Sequence, residues 1–164
     1  MLDANEDIVR RYFELGGYFV RTNLPYQFRT DKGSGWSDID LCVIHPRTGD
    51  AAAVEVKGWH TERITPSYLR DWPRLFYFTR PEATAAIAEL LGREDFRRVL
   101  VVGRLGDRGR DEVIGYARER GVEIMEFAPI LAELIAQTPL NRSAGSDAEH
   151  MIRVLKAYGF VTGG

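Results

Sequence analysis

Acidic and basic residues recur at strand spacing inside two apolar runs of the N-terminal half. Asp38 and Asp40 lie in the first run, and Glu55 and Lys57 lie in the second. Glu55 follows Asp40 by fifteen residues. Because successive strand side chains point to opposite faces, the two aspartates are predicted to share one face, as are the glutamate and the lysine. The other face of the first strand is predicted to carry Ile39, Leu41 and Val43. Carboxylates beside a lysine are the residue types of a divalent-metal site.

The segment between these runs, residues 45–50, contains a proline and a glycine, which are typical of turns. A hairpin there would bring the carboxylates and the lysine together at one end of a sheet. Phosphodiester hydrolysis needs charge neutralisation at the phosphate and a nucleophilic hydroxide, and a cation held by carboxylates supplies both. Mg²⁺ fits this chemistry, with Mn²⁺ as its expected substitute. The alternative is a cross-strand charge cluster that only solvates a sheet edge, which the apolar flanks make less attractive.

Composition indicates one folded domain. The chain has 164 residues, of which 45% are hydrophobic and 28% charged, as in ordinary globular proteins. No apolar run reaches the ~20 residues of a membrane span, and the acidic N-terminus lacks a signal-peptide pattern, so we expect a cytoplasmic protein without membrane contact. The single cysteine, Cys42, excludes an intrachain disulfide and a thiolate metal site, and it is assigned no role.

A basic and aromatic segment follows the acidic centre, although the net charge of the chain is −2. Residues 57–80 hold five basic and two acidic residues, interleaved with aromatic ones: Lys57, Arg63, Arg70, Arg74 and Arg80 against Glu62 and Asp71, with Trp59, Tyr68, Trp72, Phe76 and Tyr77. Basic side chains release counterions from phosphate, which favours nucleic acid as the partner. The predicted nucleic-acid contacts are Lys32, Arg63, Arg70 and Arg74. The alternative is a solvated helix face over a core stripe.

The chain begins with a predicted helix. Asp3 and Glu6 form an N-terminal capping pattern, and Gly16-Gly17 ends the helix. Glu14 lies in its last turn, where the helix dipole disfavours a carboxylate unless a cation is near. We therefore predict Glu14 as an accessory metal ligand, the alternative being a surface ion pair with a neighbouring arginine.

The remaining pattern predicts an α/β fold with a mixed sheet and helices on its faces. The first strand is expected in two pieces, residues 18–20 and 26–28, followed by a flexible polar turn at 31–35 near the site. Helices are predicted near 66–78, 82–91, 110–120 and 129–137, and strands at 99–102 and 122–127. Residues 1–137 would form the domain and 138–146 a linker. A capping pattern at Ser146 predicts a C-terminal helix over 147–164, which either folds back onto its own domain or crosses to a second subunit.

The order of these residues resembles the PD-(D/E)xK, or restriction endonuclease-like, nuclease superfamily over roughly residues 5–105. The resemblance implies a restriction endonuclease-like core with a helix, a hairpin and a following helix and strand. It implies that Asp40 and Glu55 bind the metal, that Lys57 positions or activates water, and that Glu14 is the additional acidic residue. The family's proline before the aspartate is replaced by Ser37 or Ile39, so Asp38 stays an alternative ligand. The small size and leading helix look most like Holliday-junction-resolvase-type and Mrr-type nucleases.

The predicted function is a Mg²⁺-dependent endonuclease that hydrolyses DNA, acting as a homodimer because cutting two strands needs two symmetric sites. A catalytically silent nucleic-acid-binding or assembly module with the same fold is the alternative. A glycine-rich turn at residues 102–109 offers a nucleotide-phosphate site instead. Its spacing is not G-x-G-x-x-G and no P-loop lysine follows, so a plain strand-to-helix turn is favoured and no organic cofactor is expected.

Overall fold

A five-stranded mixed sheet organises the chain. The computed structural model describes residues 3–141 and 145–162. The strands lie in sequence order: β1 (Phe19–Thr30), β2 (Gly33–Ile44), β3 (Ala51–Lys57), β4 (Arg97–Val102) and β5 (Glu123–Glu126). The first three are antiparallel neighbours, whereas β4 runs parallel to β3 and β5 runs parallel to β4. The parallel pairs are reached by helical crossovers, and the predicted α/β class is confirmed.

Helices cover both faces of the sheet. On one face, called the α1 face, pack α1 (Ala4–Leu15) and α5 (Phe127–Gln137). On the other, called the α3 face, pack α2 (Pro66–Asp71), a 3-10 helix (Pro73–Thr79), α3 (Pro81–Leu91) and α4 (Arg110–Arg118). The central strands are buried from both sides, which explains why β4 ends in a continuous apolar run, residues 99–102. The C-terminal helix α6 (Asp147–Ala157) packs against α1 and α5.

The first hairpin is longer and more regular than its sequence indicates. β1 is one strand and is not interrupted at residues 23–25, because its pairing with β2 keeps one register from Phe19 opposite Ile44 to Thr30 opposite Gly33. Asn23 sits within it at φ 51°, a backbone conformation that asparagine tolerates better than most residues. The predicted loop at 31–35 is only a two-residue turn at Asp31 and Lys32. The predicted hairpin between β2 and β3 is confirmed, with Ile44 opposite Ala51.

The helix predicted over residues 66–78 is in fact two helices. Trp72, at φ −119° and ψ 69°, ends α2 and precedes the 3-10 helix. Pro73 follows it, and a proline disfavours helical backbone in the residue before it and removes an N–H donor. The break turns Trp72 towards the surface, where half of it is exposed.

The C-terminal helix folds back onto its own domain. Ser146 and Glu149 form the predicted capping box. Glu149 is buried and accepts hydrogen bonds from Nε and Nη2 of Arg11, at 2.9 and 3.0 Å. The helix ends at Ala157, short of the predicted end at residue 164, and the predicted linker includes residues 142–144, which lie outside the described ranges. Within those ranges, no helix combines the length and apolar character required to cross a membrane.

Replacing Glu149 with alanine is expected to lower the free energy of unfolding by about 3 kcal/mol, because it leaves the Arg11 guanidinium partly buried with one counter-charge fewer. Glu133→Ala on the exposed surface of α5 is the control and should change stability by less than about 0.5 kcal/mol. Urea denaturation of both variants measures the difference. Equal effects of the two substitutions would show that the Arg11 contact does not hold α6.

Candidate active site

The candidate site lies where β2 and β3 separate. Their pairing ends at Leu41 opposite Val54. Beyond that pair β2 continues beside β1 alone, whereas β3 continues beside β4 as far as Lys57 opposite Val102. The Asp40 carboxylate occupies the start of this fork, since its Oδ2 accepts a hydrogen bond from the Val56 backbone N–H at 2.6 Å. A side chain thus satisfies a buried strand donor where no neighbouring strand carbonyl reaches it.

The side-chain alternation of β2 reverses at Asp40. Ile39 packs on the α3 face, whereas Leu41 and Val43 pack on the α1 face, so the prediction that these three share a face is wrong. The position opposite Asp40 is Asn23, whose positive φ takes β1 out of the regular pleat at the same point. Asp38 and Asp40 are therefore not equivalent neighbours on one face. Asp38 is exposed, and Asp40 is buried and directed towards β3.

Lys57 lies between two nearly buried carboxylates. Its Nζ is 2.8 Å from Oε1 of Glu55 and 3.9 Å from Oδ2 of Asp40. The carboxylate side chains are 12% and 11% exposed, and the lysine side chain is 29% exposed. The structure thus brings together three of the predicted site residues, of which the lysine is the most exposed to solvent.

The electrostatics of this cluster favour a further positive charge. Burial, followed by the charge of Asp40, raises the pKa of Glu55 to about 7. Burial also raises the pKa of Asp40, against the opposing influence of Lys57 and the Val56 N–H. For Lys57, burial acts to lower the pKa, but the two carboxylates outweigh it and the pKa is raised, so the side chain is an ammonium at neutral pH. Asp38 contributes through its charge, which raises the pKa of both neighbouring carboxyls.

The acidic residue that helix α1 brings to the site is Glu6, which the sequence pattern assigned only to a cap. Burial and the charge of Asp40 raise the pKa of Glu6, and Glu6 in turn acts on Lys57. The first turn of α1 lies against Gly58, where a Cβ would be 2.0 Å from Nδ2 of Asn5, so a side chain at position 58 would displace that of Asn5. The neighbouring His60 fixes the same turn, with its Nε2 2.8 Å from Oδ1 of Asn5.

Glu14 is not brought to this cluster. It lies eight residues beyond Glu6, about 12 Å along the helix axis. There it accepts hydrogen bonds from Arg10, at 2.7 Å, and from Arg11. The surface ion pair that was the alternative interpretation is therefore what the geometry shows, and the cation that offsets the helix dipole is an arginine.

The four predicted nucleic-acid contacts occupy different places. Lys32 is at the tip of the β1–β2 hairpin, eight residues and about 25 Å along the strand from Asp40, so that turn is not adjacent to the site. Arg63 is 3.5 Å from Asp107, and Arg70 is 3.0 Å from Glu112, both in exposed ion pairs. The Arg74 side chain is exposed and forms no ion pair or hydrogen bond with the described residues.

Stability should depend on pH through Glu55. Its folded-state pKa is above the ordinary value, so the unfolded chain releases this proton first and the free energy of unfolding falls as pH rises from about 4.5 to about 7. With EDTA present, Glu55→Gln should match the wild type near pH 4.5 and exceed its stability at pH 8 by on the order of 1–3 kcal/mol. Denaturation at several pH values, with Glu62→Gln in an exposed loop as control, measures this. A difference between wild type and Glu55→Gln that is constant with pH would contradict the assignment.

Two findings bear on identity and metal binding. A scan against family models gave no match, and searches of the curated proteins and of the solved structures gave none either. Within residues 3–141 and 145–162, no three His, Cys, Asp or Glu side chains converge as a preformed metal site.

Proposed function

We propose that this protein is a metal-dependent endonuclease that hydrolyses DNA phosphodiester bonds, with Asp40, Glu55 and Lys57 as its active-site residues. The observation that carries the proposal is the convergence of two nearly buried carboxylates on one ammonium group at the fork between β2 and β3. Charged groups are rarely buried without a partner or a purpose, and perturbed carboxyls cluster at functional sites.

The residues at the fork fit Mg²⁺. This ion takes oxygen ligands, keeps several waters and is usually held by one or two carboxylates together with substrate phosphate. Two protein carboxylates are thus sufficient, and because burial raises the pKa of both, a bound cation would offset the cost of keeping them ionised. When bound, Mg²⁺, or Mn²⁺ in its place, would supply neutralisation of the phosphate and an acidified water.

The protein's own groups have separable roles. The Val56 N–H holds Asp40 in one orientation, so this ligand is positioned before any substrate arrives. The raised pKa of Lys57 keeps the side chain an ammonium at neutral pH, which donates hydrogen bonds and cannot act as a base. We infer that its ammonium orients a water or binds a phosphate oxygen at the fork, in exchange for its contact with Glu55. Glu6 and Asp38 would increase the negative potential that attracts the cation.

Resemblance to the PD-(D/E)xK superfamily supports the same proposal. The chain has the implied order of a helix, an antiparallel hairpin, and a following helix and strand, with the Glu-Val-Lys sequence at the end of β3. The fuller proposal includes a homodimer that cuts both strands and a cytoplasmic location. A silent binding or assembly module is the competing proposal, and it predicts nucleic-acid binding without turnover.

A cleavage assay distinguishes the two proposals. Labelled linear, nicked, branched and single-stranded DNA would be incubated with Mg²⁺, with Mn²⁺ or with EDTA. The wild type should cut at least one substrate with metal and none with EDTA, and Glu55→Gln should cut none. Glu62→Gln, at an exposed position, is the matched control and should cut like the wild type. Binding without cutting by the wild type on every substrate would favour the silent module.

A further inference from the structure

Three aromatic rings form a cluster beside the candidate site, which we call the aromatic platform: Trp59, Tyr68 and Trp72. Trp59 packs edge-on against Tyr68, with 4.9 Å between ring centroids. Tyr68 and Trp72 are nearly parallel, at 11° and 6.0 Å. Trp72 is 50% exposed and also lies 6.0 Å from Trp59, at a tilt of 58°. The platform therefore leaves about half of the Trp72 surface open to solvent.

The platform is fixed to the strand ends that carry the site. Trp59 is two residues after Lys57, and its backbone packs directly on Gly103, where a Cβ would lie 2.1 Å from the Trp59 carbonyl oxygen. Gly103 follows Val102, the β4 partner of Lys57. A bridge between Ile64 and Leu105 ties the same loop to the segment that follows β4. The loop that carries Trp59 is thus held against the end of β4, next to the strand end that carries Lys57.

We propose that the aromatic platform stacks an unpaired nucleobase on Trp72, so that nucleic acid with single-stranded nucleotides next to the cut site is the preferred substrate class. An open aromatic face accepts any base, but a base inside a duplex already has both of its faces covered. Arg70 and Arg74 flank Trp72 in the chain and are exposed, and Arg74 has no ion-pair partner among the described residues. Arg74 supplies a charge complement for a phosphate next to a stacked base, and Arg70 would add a second by exchanging its contact with Glu112. The substrate preference rests on the proposed nuclease function, whereas the binding does not.

Binding in EDTA tests the platform without any chemistry. Fluorescence anisotropy would follow three labelled ligands of about 12 nucleotides: a single strand, a blunt duplex and an abasic single strand that keeps its phosphates. The wild type should bind the single strand more tightly than the other two. Trp72→Ala should weaken that binding roughly 5- to 100-fold, and Trp72→Phe, which keeps an aromatic face, by no more than about 3-fold. Trp36→Ala, at a tryptophan that is 71% exposed outside the platform, is the control and should change nothing.

Two results would contradict stacking on Trp72. One is equal binding of the abasic and normal single strands. The other is unchanged single-strand binding by Trp72→Ala when the circular dichroism of that variant matches the wild type. Self-association that depends on Trp72 and excludes the single strand would overturn it as well. Parallel cleavage assays in Mg²⁺ separate this proposal from the nuclease. If single-strand binding depends on Trp72 but the protein cuts no substrate, the stacking proposal is supported and the nuclease proposal is contradicted. If the protein cuts DNA but its binding does not depend on Trp72, the nuclease proposal is supported and the stacking proposal is contradicted.

Discussion

Lys57→Ala is expected to lower the single-turnover cleavage rate by about 10³-fold, the usual effect of removing a positioned donor from a reacting centre. Its ammonium contacts both carboxylates of the site, so no other side chain of the cluster can supply the same charge. The same change leaves Asp40 and Glu55 without their common counter-charge, and we expect it to lower the free energy of unfolding by about 2–4 kcal/mol. Rates must therefore be measured well below the melting temperature of the variant.

Lys57→Arg separates the two effects. It keeps the positive charge and should preserve stability, but its broader, planar head cannot reproduce the point contact of an ammonium, so cleavage should still fall. Lys32→Ala, at the distant hairpin tip, is the matched control and should leave the single-turnover rate at saturating protein unchanged. If the Lys57→Ala protein remains folded and cuts at the wild-type rate, Lys57 has no role in cleavage.

Asp40 has a structural role and a chemical role, which two substitutions distinguish. Asp40→Asn keeps an oxygen that can accept the Val56 N–H but loses the charge that a metal requires. We expect this variant to fold normally and to lose about 10³-fold in cleavage rate. Asp40→Ala leaves the Val56 N–H buried without an acceptor and should also cost about 1–3 kcal/mol of stability.

Amide hydrogen exchange at Val56 measures the structural half of this prediction. Protection should persist in Asp40→Asn and fall in Asp40→Ala, because only the alanine variant opens the fork. Cleavage assays on the same samples measure the chemical half. Equal Val56 protection in both variants would mean that the carboxylate does not hold the fork together, and wild-type cutting by Asp40→Asn would mean that its charge is not needed.

The sequence pattern was sufficient to predict the hairpin and the meeting of Glu55 with Lys57, because strand alternation and turn chemistry are local. It could not predict the reversal at Asp40, because that depends on the backbone of Asn23 in the neighbouring strand. The pattern of β2 alone gives no sign that Ile39 and Leu41 face opposite layers.

The choice between Glu6 and Glu14 was beyond local reasoning for a related reason. Both are glutamates of one helix, and what selects between them is which end of α1 meets the fork. That depends on the close approach of Asn5 to Gly58, a contact between residues more than fifty positions apart. The available signal in the sequence was Gly58, a residue without a side chain directly after Lys57. The break at Trp72, by contrast, was predictable from Pro73.

The most direct test of the metal site is the single-turnover cleavage rate as a function of Mg²⁺ concentration, compared among wild type, Asp40→Asn and Glu14→Gln. In the wild type we expect no cutting in EDTA and a rate that saturates with Mg²⁺. Glu14→Gln should behave in the same way, because Glu14 is engaged by Arg10 and Arg11. Asp40→Asn should show no cutting, or cutting only at much higher Mg²⁺. Cleavage that persists in EDTA, or an Asp40→Asn titration that coincides with that of the wild type, would contradict the proposed metal site.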